Sequence, residues 1–572
     1  MKKKIGVYIC HCGGNISDYV DVEKVRQAIE NEDCVYLSRT TMFACSDSNQ
    51  KDMVDDIKAN GLDGVIVASC SPKLHLLTFR NVTERANLNK YTYVHANIRE
   101  QASWAHSDNK IGATEKTIHL VKAAIAKARY AEALHPTRIE AEKTIAVIGA
   151  GIAGMKAALT LSDKKNPVVL IEKATQVGGH VAEWGSLFGT AEKGSELSER
   201  IYTEILKRDN ITILTHTELV NAKGSIGDFT LTLKNNVQAD APTTECHVGS
   251  VVVATGFESY IPVENEFGYK MADNVITLPD FKKLVDASSA GKLVYNGKTI
   301  ENVAYIYCVG SRQVDGDNKY CSRNCCTATI HTAVTARKKF ADLNNFHFTR
   351  GIRTYGKQEI VYSESLKSGD IYLQSFGNKP PQVVVENGKT IVKIKDILTI
   401  NKDVEVEADL VVLVTGMVPR SDNSVGGLFK LPKGRDGFYN EIHMKLRPVE
   451  TVIDGITIAG TCQSPKNITE SVNSALSAAT KSYSYISKGS LETPPIVAIV
   501  DADRCSWCDA CSDACPFDAI SSTVTDSGKQ IAVINNTVCK GCGMCAPVCA
   551  PDAIDLTAYS SKEIMSMIDA LV

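Results

Sequence analysis

The chain has 572 residues, of which 44% are hydrophobic and 23% charged, with a formal net charge of −3. That length allows three or four domains, and a balance so close to neutral argues against a nucleic-acid partner. No run of about 18 apolar residues occurs, so no direct membrane span is expected.

Behind the basic start Met1–Lys4, the apolar run from Ile5 to Ile9 meets Cys10 and His11 too soon to form a signal-peptide core. Nineteen cysteines without an export signal point to thiols kept reduced in the cytoplasm, where they bind metal or do redox chemistry. Residues 1–120 alternate short β-rich runs (Lys4–Ile9, Asp33–Tyr36, Gly64–Ala68, Tyr91–His95) with helical stretches at Asp21–Glu30 and Asn49–Asn60, the pattern of a small α/β domain. Cys10, Cys12, Cys45 and Cys70 lie in it, three of them at predicted strand ends where loops converge. Four thiolates on one sheet edge suit an iron–sulfur cube, although buried thiols packed as small apolar side chains give the same pattern. Ala113–Leu134 predicts a connecting helix that stops before His135-Pro136, which puts a domain boundary near residue 140.

Thr144–Ile148 predicts a buried strand running into Gly149-Ala-Gly151-Ile-Ala-Gly154 and then a helix from Met155 to about Asp163. The glycines let a backbone approach a pyrophosphate, and the helix N-terminus supplies donors. A second strand, Pro167–Ile171, ends at Glu172, with Lys173 beside it; a carboxylate at that spacing binds a ribose diol. This is a dinucleotide fingerprint that FAD or NAD satisfies. Further along stand Gly178-Gly179, then two strand ends, Thr255-Gly256 and Thr415-Gly416, and the segment Asp454–Gly460. The runs Ser250–Ala254 and Asp409–Val414 are expected as later strands of the same nucleotide-binding layer, with an inserted domain between them.

Within that insertion the strand Asn302–Tyr307 leads into Cys308-Val-Gly310-Ser-Arg312, without a Gly-x-Gly-x-x-Gly loop, and Cys321, Cys325 and Cys326 follow. Four thiolates in nineteen residues can enclose one cube; zinc or purely structural cysteine is the alternative. At the C-terminal end, Cys505-x-x-Cys508-x-x-Cys511-x-x-x-Cys515-Pro516 is followed by Cys539-x-x-Cys542-x-x-Cys545-x-x-x-Cys549. Runs of this kind belong to two-cluster ferredoxins: three thiolates of each run clasp one cube and the fourth reaches the other. The expected ligand sets are Cys505, Cys508, Cys511 and Cys549 for one cluster, and Cys539, Cys542, Cys545 and Cys515 for the other. A pair of zinc sites is the alternative there too. Cys34, Cys246 and Cys462 are left as ordinary thiols.

The glycine and Thr-Gly series resembles the thioredoxin-reductase-like flavoproteins with two dinucleotide-binding domains, over roughly residues 143–490. The resemblance implies FAD, with the Gly460 segment near its ribityl chain, and an inserted domain whose own glycine loop would hold NAD(P)H; the absence of that loop here speaks against direct NAD(P)H binding. Joined to Gly6-Val-Tyr-Ile-Cys10-His-Cys12-Gly, Ala68-Ser-Cys70-Ser-Pro72, Ala96–Gln101 and Ser464-Pro-Lys466-Asn, the whole chain is similar to the A-subunit family of heterodisulfide reductase. The expected fold is α/β, with an N-terminal domain over 1–142, a discontinuous FAD domain over 143–256 and 402–490, an inserted domain over 257–401 carrying an unusual [4Fe–4S] site, and a two-cluster ferredoxin domain over 491–572.

The resemblance further implies four [4Fe–4S] clusters, the fourth on Cys10, Cys12, Cys45 and Cys70. It also implies an electron-transfer subunit that splits or merges electron pairs at its flavin, working with other heterodisulfide-reductase-like subunits and ferredoxin. The input partner would be a hydrogenase-, NADH- or deazaflavin-linked subunit, and the chain a homodimer within a larger complex. Lys466 is a candidate flavin neighbour whose ammonium would stabilise a reduced anion. The competing readings are a non-bifurcating electron relay and an NAD(P)H-dependent reductase of the glutamate-synthase small-subunit type.

Overall fold

The computed structural model describes residues 2–190, 192–237 and 242–571. They form two compact units, one of residues 139–491 and one made of the residues up to 138 together with those from 492 onward. Both ends of the chain, each rich in cysteine, thus share a unit.

That terminal unit is built on a four-stranded parallel sheet in the order Val35–Thr41, Ile5–Cys10, Gly64–Ser69, Tyr93–Asn97. Ile5–Cys10 and Gly64–Ser69 are buried along their whole length, as central parallel strands covered on both faces must be. Local chemistry sets the helix ends: Ser46 caps Asp47–Asn60, and Gly61, in the left-handed region at φ 59°, stops it. The connecting helix runs Lys110–Tyr130 and packs on the last helix, Ser561–Asp569. Lys127 Nζ stands 3.5 Å from the Tyr559 ring centre and Lys562 Nζ 4.4 Å from that of Tyr130, so two cation–π contacts tie these helices. Between them in sequence, Ala498–Val500 pairs with Ile554–Leu556 and Ile520–Val524 with Gln530–Ile534, both antiparallel.

The other unit holds two five-stranded parallel sheets. The first has the order Ile456–Ile458, Ser250–Val253, Ile145–Ile148, Val168–Ile171, Ile211–Leu214, with helices Ile152–Asp163 and Ile468–Ile486 packed together beside it. The second has the order Val275–Thr277, Leu410–Thr415, Asn302–Val309, Asn344–Thr349, Ile371–Gln374. The strand over 410–415 therefore belongs to the second sheet and not to the flavin layer in which the sequence pattern predicts it. It is apolar and buried almost throughout, like any central parallel strand, so its pattern carries no mark of which sheet it joins. The chain crosses between the two sheets twice, and the crossings pair as a short antiparallel ribbon, Glu258–Ser259 against Met417–Val418. Among the described residues no helix is long and apolar enough to cross a membrane.

Candidate redox sites

The fingerprint loop follows the strand Ile145–Ile148. Gly149 has φ 102°, and a Cβ there would meet the Ala254 carbonyl oxygen at 2.4 Å; a Cβ on Gly154 would meet the Gly149 carbonyl oxygen at 1.7 Å. Gly151 differs, because nothing lies within 4 Å of where its Cβ would be. Two glycines let the loop and helix pack, while the third faces a cavity of about 410 Å³ lined also by Glu172, Lys173, Gly178, Gly179, Thr255 and Gly256. The carboxylate of Glu172 braces the loop, Oε2 accepting the Ala150 amide at 2.6 Å and Oε1 the Ala174 amide at 2.8 Å. Lys173 is paired with Asp422 at 3.0 Å and Glu218 at 3.1 Å. An open cradle of this shape, at the C-terminal edge of a parallel sheet and the start of a helix, fits the pyrophosphate of FAD.

Lys466 lines the same cavity, and its Nζ donates to the Gly460 carbonyl (3.2 Å), Gln463 Oε1 (3.0 Å) and Ser464 Oγ (2.9 Å). Burial pushes its pKa down, against the opposing pull of Cys462, Glu441 and Glu470. Gly460 itself has φ 72° and sits behind the lining. Cys462 is buried, its thiol donating to the carbonyls of Ala459 at 3.2 Å and Val253 at 3.4 Å. Arg420, Asp422, Ser424 and Tyr439 also line the cavity; no sequence motif singles them out, since the intervening chain folds back from the second sheet to reach it.

A second cavity, of about 690 Å³, shares His180, Glu183, Trp184, Phe257, Asn467 and Ile468 with the first. Its other wall comes from the inserted domain and includes Thr415, Gly416 and Cys325. Thr415 and Gly416 thus face this second space and not the flavin cradle, a direct result of the strand over 410–415 lying in the second sheet. In the turn after the strand Asn302–Val309, Tyr260 packs directly on Gly310, where a Cβ would meet its ring at 2.0 Å.

Cys308, Cys321, Cys325 and Cys326 come together around left-handed backbone at Cys308 (φ 64°), Gly310 (71°), Arg312 (52°) and Arg323 (57°). Non-glycine residues held there store strain, as functional loops often do. Desolvation pushes the Cys308 thiol up, while Arg312 and Arg350 pull it down. Cys325 donates to Cys326 and so pulls the second thiol down, with help from the Arg353 amide and from Arg312. The Arg323 amide lies 3.4 Å from Cys321 Sγ. A set of arginines around four thiols suits a negatively charged cluster.

In the first domain the four thiols gather at the C-terminal edge of the sheet: Cys10 ends one strand, Cys70 follows another, and Cys12 and Cys45 lie in loops after strands. Cys10 Sγ accepts the amides of Cys12 at 3.2 Å and Ala44 at 3.4 Å, and burial raises its thiol to about 11. Arg99 Nη1 reaches Cys12 Sγ at 3.5 Å; burial pushes the Cys70 thiol up, and the Arg99 charge partly opposes that rise. Arg99 lies in the Ala96–Gln101 segment, yet spacing alone gives no sign that it meets the thiols.

At the C-terminal end, Cys511 interacts with Cys505 and Cys549, and Cys545 with Cys539, Cys542 and Cys515. Cys515, Cys539, Cys542 and Cys545 line one small cavity. Backbone amides point at the sulfurs: Ala532 at Cys505 and Ala519 at Cys515 at 3.4 Å, Ala553 at Cys549 at 3.2 Å. Cys508 is exposed. Among the described residues no three His, Cys, Asp or Glu side chains converge on a point where one ion would sit.

Fold and sites together define an oxidoreductase with a thioredoxin-reductase-like FAD domain and a two-cluster ferredoxin domain. Residues 143–303 match the pyridine nucleotide-disulphide oxidoreductase family and residues 496–562 the 4Fe-4S dicluster domain. The chain is 34% identical to the second iron–sulfur A-subunit of CoB–CoM heterodisulfide reductase from Methanopyrus kandleri, over 91% of this chain and 92% of that protein. It is 32% identical to the A-subunit of the H2:CoB–CoM heterodisulfide, ferredoxin reductase of Methanothermobacter marburgensis, over 91% and 90%. With the A-subunit of the ferredoxin/F420H2-dependent CoB–CoM heterodisulfide reductase of Methanosarcina acetivorans the identity is 30%, over 91% of this chain and 75% of that one. The chain belongs to the A-subunit family of heterodisulfide reductase.

Proposed function

We propose that this FAD and iron–sulfur electron-transfer protein bifurcates or confurcates electrons at its flavin, as one component of a heterodisulfide-reductase-like complex that exchanges electrons with ferredoxin. The observation that carries the proposal is the pair of joined cavities, one holding the dinucleotide cradle and the other reaching Cys325. A flavin seated in the first supplies two-electron chemistry beside a one-electron centre. The chain's own contribution is orientation and charge. Gly149, Gly151 and Gly154 shape the pyrophosphate cradle, Glu172 braces it, and Lys466 offers a positive charge from the Gly460 turn. Gly178, Gly179, Thr255 and Gly256 line the same cavity, as does Lys173 with its partner Asp422.

Four clusters are proposed, on Cys10, Cys12, Cys45 and Cys70; on Cys308, Cys321, Cys325 and Cys326; and on the two crossed sets at the C-terminal end. Ferredoxin enters the proposal because two relatives carry it in their names, and the exposure of Cys508 supports reading the terminal module as an electron port. The lack of a Gly-x-Gly-x-x-Gly loop after the strand at Asn302–Val309 favours an electron supply through a partner protein over direct reduction by NAD(P)H.

Redox titration of the purified full chain decides between bifurcation and relay. If the second electron enters the flavin more easily than the first, the potentials are crossed and bifurcation stands. Two potentials in ordinary order at mid-range make the protein a relay.

A further inference from the structure

The ribbon Glu258–Ser259 with Met417–Val418 is two residues long in each strand, and so short a pairing is a weak brace by itself. A second connection joins the same two domains. Arg323 lies two residues past Cys321, and its Nη2 meets Glu470 Oε1 at 2.5 Å. The Tyr355 hydroxyl donates to the same oxygen at 3.0 Å, and the Arg323 guanidinium stands 5.9 Å from the Tyr355 ring centre. The other oxygen, Glu470 Oε2, accepts the Asn467 amide at 3.0 Å, while Asn467 Oδ1 accepts the Glu470 amide at 2.8 Å. This reciprocal cap starts the helix Ile468–Ile486, and Asn467 and Ile468 line both cavities. One carboxylate therefore serves two structures: one oxygen holds the cysteine-bearing loop, the other the first turn beside the flavin cradle.

We propose that Arg323 and Glu470 clamp the inserted domain onto the flavin domain, making Arg323 a positioning residue for electron exchange between flavin and the centre at Cys308, Cys321, Cys325 and Cys326. The inference rests on the reading that those four cysteines hold a cluster. In the step concerned, one electron leaves the reduced flavin and one enters the oxidised cluster; Arg323 makes and breaks no bond. Its side chain is 46% exposed and that of Glu470 26%, so the pair is screened by salt and biases the arrangement without locking it.

The test uses the full chain and the variants Arg323→Gln, Arg323→Lys, Glu470→Gln and the Gln–Gln double. Glutamine at position 470 can keep the helix cap with its one carbonyl oxygen, while the charge and the acceptor that meets Arg323 and Tyr355 are lost. Hydrogen exchange over 318–326 and 466–472, measured with and without cofactors, should rise in each single Gln variant and no further in the double. Flavin-to-cluster transfer after rapid photoreduction should slow at least about tenfold, as small misplacements of reacting groups do, with FAD and iron contents unchanged, and Arg323→Lys should restore most of it. Unaltered exchange in Arg323→Gln, or additive effects in the double, overturns the clamp. If Cys325→Ala loses no iron, the cluster reading fails and the role in electron exchange with it; the exchange data then judge the clamp as a domain contact alone.

Discussion

Glu172 and Ala150 are joined across the glycine loop, the carboxylate oxygen taking the amide at 2.6 Å. Hydrogen bonds to an ionised acceptor contribute about 1.5–3 kcal/mol, so Glu172→Ala should weaken FAD retention roughly ten- to a hundredfold, with Glu172→Gln falling between it and the native chain. Flavin absorbance after exhaustive dialysis, read beside circular dichroism, measures it; full retention in Glu172→Ala would remove the bracing role.

The glycines of the loop should respond differently. Gly151→Val enters open space, so the protein should fold near normally and emerge without flavin. Gly154→Val would drive its side chain into the Gly149 carbonyl and should cost the fold itself. Thermal melts of the flavin-free proteins separate the two outcomes; equal melting points would contradict this account.

Iron analysis of fully loaded protein should find about sixteen irons and as many acid-labile sulfides per chain. The crossed pairing makes a sharper claim. Cys515→Ala should disturb the signal of the cluster on Cys539, Cys542 and Cys545 and leave that of Cys505, Cys508 and Cys511. Paramagnetic spectra of the reduced variant decide it, and the opposite result would make each run self-contained.

His331 sets a pH dependence. Burial, then the charges of Lys282 and Lys338, push it down to about 4, against about 6.5 in an unfolded chain. Between those values the unfolded state binds more protons, so this contribution is complete above about pH 6.5 and is lost as pH falls toward 4. The shift corresponds to at most about 3–4 kcal/mol, and solvent in the adjoining cavity lowers that to roughly 1–2 kcal/mol. Urea unfolding at pH 7, 5.5 and 4.5 should show the native chain losing more stability than His331→Gln by that amount. Parallel pH profiles would dismiss it.

Much of the molecule is legible in the sequence because its chemistry is local. The glycine loop, the strand ending at Glu172 and the two terminal cysteine runs each state their geometry within a few residues. What escapes is long-range. The strand over 410–415 has the same apolar pattern in either sheet, and only its pairing with Asn302–Val309 decides. Arg99, Arg323 and Arg420 read as surface charge until the fold carries them to a thiol, a carboxylate and a cavity.

The placement of thiols at the two ends of the chain bears on how the protein matures. Cys505, Cys508 and Cys511 lie within seven residues, so that stretch can grip iron before any strand around it exists, and metal uptake there is part of folding. Cys10 ends one strand and Cys45 and Cys70 follow two others, so the three meet only after those strands have paired. Iron taken up at the site proposed for that edge would meet a finished sheet. In a cell short of iron, newly made chains would accumulate with the leading domain ordered and the trailing one unformed, and proteases would find them from the C-terminal side.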